Sequence, residues 1–136
     1  MGQFDNYTFK NVNVIFGTEE IQGWAEGDDV VQIESEAEEF LDMSGARGDV
    51  VRTQTNDGRV TITMKLLQTS SSNDILTTIF RADKESGTGV LPFLLQDKET
   101  GDKFTVPNSW INKQPTVVRG QGVNTMEWTL RGDMLI

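Results

Sequence analysis

A mainly β fold, a sandwich or partly open barrel carrying one α-helix, is what this sequence predicts. Three observations predict it. Val60, Ile62, Met64 and Leu66 alternate with Thr61, Thr63 and Lys65, the period of a strand with one buried face. Ile75, Leu76, Ile79 and Phe80 recur at helical spacing after Thr69-Ser70-Ser71-Ser72-Asn73, a run of side-chain oxygens able to cap a helix. Turn signals punctuate the chain every 8 to 12 residues or so, as they do between short antiparallel strands.

Taken in order, Phe9, Val12, Val14 and Phe16 open a first strand that ends near Gly17. Ile21 to Trp24 continues it after a bend or makes a short second strand, with turns at Gly23 and Gly27. Val30 to Ala37 is a third, with Val31, Ile33, Ser35 and Ala37 on one face and Val30, Gln32, Glu34 and Glu36 on the other. Phe40 to Asn56 combines a loop-like Ser44 to Asp49 with a strand-like but mostly polar Val50 to Thr55, and it reads as a projecting hairpin arm. Asn56-Asp57-Gly58 turns the chain into the alternating strand. After the helix, Asp83 to Gly89 reads as a polar loop. Leu91, Phe93 and Leu95 form a strand, and Asp97 to Asp102 turns it into Lys103 to Val106. Trp110 and Ile111 follow between Pro107 and Pro115. Met126, Trp128 and Leu130 alternate through the last strand; burying each side chain contributes roughly 1.5 to 3 kcal/mol.

One domain is expected over residues 1–136, long enough to bury a core without staples. With no cysteine, disulfides and thiolate metal sites are absent; with no histidine, so are the usual general base, the His-activated nucleophiles and most zinc and copper chemistry. Met1 to Asp5 lacks the basic and apolar regions of a leader, Asn6 breaks the myristoylation pattern, and no apolar run approaches the ~20 residues of a membrane span. Folding in the cytosol is the expectation.

The net charge of −9 is unevenly placed. Ten of the 21 acidic side chains lie between Asn11 and Ala46, where there is no Lys or Arg, whereas Arg47 to Ile136 is nearly balanced. A nucleic-acid binder needs the opposite, a concentrated basic patch, so tight DNA or RNA binding is not expected.

No catalytic, cofactor-binding or metal-binding residues are assigned. Glu34, Glu36 and Glu38 would form a row of like charges on one strand face. A carboxylate pair for glycoside hydrolysis is a remote alternative, because it needs a set separation and one raised pKa. Asp97 to Asp102 lacks the spacing and closing Glu of a calcium loop and reads as a plain turn. Gly87-Thr88-Gly89 has no following Gly-Lys-Ser/Thr and is no phosphate loop. Arg47-Gly48-Asp49 and Arg131-Gly132-Asp133 match an integrin motif by coincidence in a chain of cytosolic character. Trp24, Trp110 and Trp128 offer stacking surfaces for a carbohydrate-binding module, although the alternation around Trp128 favours packing.

The order of elements carries a resemblance. Val12 to Gly17 with Ile21 to Asp28, then Gly58 to Ser70, the helix, Leu91 to Trp110 with Lys113-Gln114-Pro115, and the closing Glu127-Trp128-Thr129-Leu130 together resemble small structural proteins of tailed bacteriophages. The chain is similar over nearly its whole length to the tail tube proteins of contractile-tailed phages, and more distantly to the inner tube of type VI secretion. The resemblance implies a structural protein, not an enzyme, whose copies form homohexameric rings stacked into a hollow tube for DNA ejection. It implies strands that complete a shared barrel around the channel, and an arm at about 40–56 that contacts the neighbouring ring.

Its implied partners are the tail sheath, baseplate, tape-measure and tail-terminator proteins, with DNA passing through without tight binding. Its place is the virion tail, assembled in the host bacterial cytoplasm. Glu34, Glu36, Glu38, Thr61 and Thr63 are the expected lumen-facing residues, since a negative bore repels phosphates. Asp42, Arg47, Asp49 and Arg52 are the expected inter-ring contacts on the arm. A baseplate or tail-terminator ring protein of the same machine is the first alternative; a monomeric carbohydrate-binding β-sandwich is the second.

Overall fold

In the computed structural model, which describes residues 8–134, the strands are β1 (Val12–Phe16), β2 (Glu19–Glu20), β3 (Val31–Ser35), β4 (Phe40–Ser44), β5 (Val50–Gln54), β6 (Arg59–Leu67), β7 (Leu91–Asp97), β8 (Lys103–Lys113) and β9 (Thr125–Asp133). The helix α1 (Ser72–Ser86) lies between β6 and β7. The leader and acylation readings on Met1 to Asn6 fall outside the described residues. Seven strands form one sheet in the order β2-β1-β7-β8-β9-β6-β3, every pair antiparallel, while β4 and β5 pair only with each other.

The alternation in β6 does what its period dictates. Val60, Ile62, Met64 and Leu66 are all buried on one face. β9 lies against it in register, setting Leu130 beside Ile62 and Trp128 beside Met64. Gly132 extends that face, and only glycine fits: a Cβ there would stand 2.5 Å from Val106 Cγ1 and 2.8 Å from the Asn108 carbonyl oxygen.

β8 runs through Pro107 to Lys113, whereas the sequence ended it at Val106. The register slips at this point, Phe93 pairing with Val106 but Leu91 with Ser109. A bulge is where a strand tolerates proline's missing N–H. The first half of β8 pairs with β7 and the second with β9. Such a strand makes the corner of a sandwich. Val14, Phe16 and Phe93 on one limb therefore join Ile62, Met64 and Trp128 on the other in a single core. Among the described residues the sheet does not close: β3 has β6 on one side and no strand on the other. A mainly β, partly open sandwich with one helix is the architecture the sequence called for.

The helix departs from expectation at its C-terminal end, whereas its start takes a side-chain oxygen from the expected run. Its N-cap residue, Ser71, makes no side-chain cap bond. Ser70 Oγ accepts instead from the Ser72 N–H at 3.2 Å, and Asn73 is spent elsewhere: its amide donates to the Leu67 carbonyl and accepts from Trp128 Nε1, both at 2.9 Å. Leu76 enters the core. The helix also continues through Asp83 to Ser86, read above as loop, because Ala82, Lys84 and Glu85 are ordinary helix formers on an exposed end. Gly87, at φ 69°, stops it in the left-handed conformation.

Two strand boundaries also move. Ile21–Trp24 is not a strand; β2 is Glu19–Glu20, turned back on β1 at Gly17, and Trp24 makes a lone bridge to Leu66. β3 stops at Ser35, not Ala37.

Candidate functional site

Facing away from the core, β3, β6 and β9 present a polar sheet surface. Register fixes its rows: Glu34, Thr61 and Arg131 lie side by side, then Gln32, Thr63 and Thr129, then Lys65 beside Glu127. Glu34, Glu36, Thr61 and Thr63 are thus brought together, since Glu36 accepts a hydrogen bond from Thr61 Oγ1 and pairs with Arg131 at 3.3 Å. Glu38 is not. It lies beyond the end of β3, where its carbonyl accepts from Thr55 Oγ1 at the root of the arm, so the expected row of three glutamates is broken by the strand's early end.

This surface carries three cations, each held by a carboxylate of its own chain. Lys65 meets Asp29 at 3.0 Å, Arg59 meets Asp57 at 2.8 Å, and Arg131 meets Glu36. Glu34 and Glu127 have no ion-pair partner among the described residues. Sequence reasoning found the glutamates and threonines but missed Glu127, Thr129 and Arg131, although their alternation with Met126, Trp128 and Leu130 already placed them on the outer face.

The pairs leave an electrostatic mark. A hydrogen bond from the Lys65 ammonium holds the Asp29 carboxyl below its ordinary value of 3.8, and Arg59 does the same to Asp57 while Asp57 raises the guanidinium. Because these folded pKa values are depressed, the small stabilisation from each pair is present at neutral pH and is lost as pH falls through the folded value. Carboxyl NMR titration should give midpoints below 3.8 for both aspartates, and Lys65→Ala should return Asp29 toward 3.8. An unshifted Asp29 in the unsubstituted chain would dissolve the pair.

β4 and β5 form the hairpin expected at 40–56. All their residues are exposed, and Asp42 stands opposite Arg52 across the ladder, with Arg47 and Asp49 in the turn between them. The Arg52 guanidinium lies 4.3 Å from the centre of the Phe40 ring. Leu41, Met43 and Val51 share the opposite, apolar face; Met43 is 74% exposed. At the root, Gln54 donates to Glu39 at 2.8 Å, and Asn56 takes a φ of 56° to turn the chain into β6. Of the tryptophans, Trp128 is fully buried and Trp24 and Trp110 are half-buried. Among the described residues no cluster of acidic side chains has metal-binding geometry. No helix there is long and apolar enough to cross a membrane.

Comparison with known proteins gives three kinds of likeness. A family model described as bacteriophage PhiTE tail tube protein matches residues 4–134. Structural protein ORF10 of Pseudomonas phage KPP10 is 27% identical over 112 residues, covering 81% of this chain; the chain spans 64% of that relative's length. The fold is similar to the tube-terminating cap of the anti-feeding prophage, with a TM-score of 0.64 at 12% identity, covering 98% of this chain and 90% of that one. It is similar to the sheath/tube terminator of the extracellular contractile injection system PVC, with a TM-score of 0.64, 12% identity and coverages of 99% and 98%. A chain of the PVC sheath-tube complex gives 0.62 at 13% identity, with coverages of 93% and 86%.

Proposed function

We propose a function from the premise that this chain belongs to the bacteriophage PhiTE tail tube protein family: its copies assemble into six-membered rings, and the rings stack into the tube through which DNA leaves the capsid. The open sheet supports this reading. An edge strand with free N–H and C=O groups invites pairing, and a ring of copies satisfies every such edge at once. In this arrangement β3 of one copy extends the sheet of the next, and the polar face of β3, β6 and β9 lines the bore.

The observation that carries the reading is the compensated charge of that face. Proteins hold DNA by exchanging cations for the counterions condensed on phosphates. Lys65, Arg59 and Arg131 are already occupied by carboxylates, and Glu34 and Glu127 add uncompensated negative charge. A bore of this kind lets a polyanion slide. The role is mechanical, without catalysis or cofactor, within a virion tail assembled in the bacterial cytoplasm. Sheath, tape-measure, baseplate and terminator proteins are its partners.

A terminator or baseplate ring is the second reading, favoured by the fold likeness to two terminating proteins. Negative-stain microscopy of the purified chain over a concentration series separates the two. Open-ended tubes that lengthen with concentration are expected. Single closed rings would support the terminator, and a monomer at every concentration would overturn both readings.

A further inference from the structure

We propose that the Asp57–Gly58 linkage is the site at which this chain undergoes aspartate isomerisation, and that Arg59 is the residue that holds the reaction off. The proposal does not depend on the assembly reading above. The chemistry needs only water and the backbone. The Gly58 amide nitrogen attacks Cγ of a protonated Asp57 carboxyl; the N–Cγ bond forms, and the carboxyl hydroxyl leaves as water with the amide proton. A second water opens the cyclic imide. Cleavage between Cγ and the nitrogen restores aspartate. Cleavage between the Asp57 main-chain carbonyl carbon and the nitrogen leaves the chain running through Cγ, an isoaspartyl link with one more methylene in the backbone.

Sequence and packing together place the reactive pair here. Asp57-Gly58 is the chain's one Asp-Gly pair, and there is no Asn-Gly. Glycine, having no Cβ, leaves the attacking nitrogen least shielded. No other residue fits: a Cβ on Gly58 would stand 2.7 Å from Asp133 Oδ1 and 2.9 Å from the Met134 carbonyl oxygen, and the Gly58 carbonyl accepts from the Met134 N–H at 2.7 Å. Asp57 has its own task, since Oδ1 accepts from the Arg59 N–H at 3.1 Å and closes the turn into β6. The fold thus requires a pair prone to cyclise at the junction between β5 and β6.

Arg59 opposes the reaction in two ways. Its Nε donates to Oδ1 at 3.0 Å and its Nη2 to Oδ2 at 2.8 Å, so one planar fork takes both carboxylate oxygens. That keeps the carboxyl ionised, with no hydroxyl to release, in line with an Asp57 pKa held below 3.8. It also fixes the side chain, which must rotate to bring Cγ onto the Gly58 nitrogen. Burial does not supply this protection, because the Asp57 and Arg59 side chains are 23% and 66% exposed. Nor does the pair's contribution to folding explain it, since an exposed ion pair adds little stability.

Timed incubation in mildly acidic buffer, with isoaspartate located by isomer-resolved peptide mapping, tests the proposal on the unsubstituted chain, Arg59→Ala, Arg59→Lys and a peptide spanning Thr55 to Thr61. The peptide should isomerise fastest and the unsubstituted chain slowest. Arg59→Ala should gain isoaspartate at Asp57 several-fold faster than the unsubstituted chain, with Arg59→Lys between them, since lysine keeps the charge without the fork. Hydrogen exchange at the Met134 amide, which is bonded to Gly58, reports on the turn itself and should be unchanged in both variants. Equal rates in Arg59→Ala and the unsubstituted chain would overturn the role of Arg59, as would a faster rate that comes with lost protection at Met134. Isoaspartate appearing first at another aspartate, or as fast in the folded chain as in the peptide, would overturn the proposal as a whole.

Discussion

Trp128→Ala should cost about 3 to 5 kcal/mol of folding stability, the range for removing a fully buried large side chain. The reason is specific to its place. Trp128 has no exposed surface, stands beside Met64 in the centre of the sheet, and donates its indole N–H to Asn73 at 2.9 Å. Truncation opens a cavity between the sheet and α1, and it also leaves Asn73 Oδ1 without its donor in a residue only 6% exposed, which adds about 1 to 3 kcal/mol.

Trp128→Phe should cost less than Trp128→Ala, since it keeps a six-membered ring in the core while removing the N–H donor and part of the indole volume. Trp110→Ala is the control. That indole lies half-buried on the outward face beside Arg131, and its loss should cost about 1 kcal/mol. Urea unfolding of dilute, unassembled subunits measures all three, because assembly would add its own stabilisation. Equal losses for Trp110 and Trp128 would mean that the core is not centred where the burial places it.

The strands that could be read from sequence are those whose pattern is local. β6 and β9 alternate strictly because one face packs on the core and the other meets water, and the arm announces itself through glycines and polar residues between two short β-prone runs. What could not be read depends on distant partners. Pro107 looks like a stop until β7 lies beside it and the register slips there. Asp83 to Ser86 looks like a loop because the end of α1 has little to bury, yet the helix continues until Gly87.

Much the same limit applies to the polar face. Thr61, Thr63 and Glu34 could be grouped by alternation alone, and the same alternation puts Lys65 on the face of the two threonines. Its partner Asp29, far from it in sequence, could not be read that way. Glu36 found Arg131 in the same way, across two strands. Glu38 was grouped with its neighbours on the assumption that β3 ran on; the strand ends first, and the Glu38 backbone carbonyl belongs to the arm's root.

Replacing Glu34, Glu36 and Glu38 together with lysine should leave rings intact and stop DNA from passing freely. Each copy gains six units of positive charge, and the effect exceeds simple addition because Glu36→Lys also removes the partner of Arg131 and sets a second cation beside it. New free cations on a surface that meets phosphate bind by releasing counterions, with a log-log salt slope near −0.9 for each phosphate neutralised on duplex DNA. Tubes of the variant should therefore retain duplex DNA at low salt and release it steeply as salt rises, where unsubstituted tubes retain none. Phage carrying the variant should lose infectivity through failed ejection. Glu38→Lys alone separates the bore from the arm: at the hairpin root it should leave DNA retention unchanged, whereas Glu34→Lys with Glu36→Lys should reproduce nearly the whole effect. Normal infectivity of the triple variant would remove the face of β3, β6 and β9 from the channel, and DNA retention that follows Glu38 would move the channel to the arm side of the subunit.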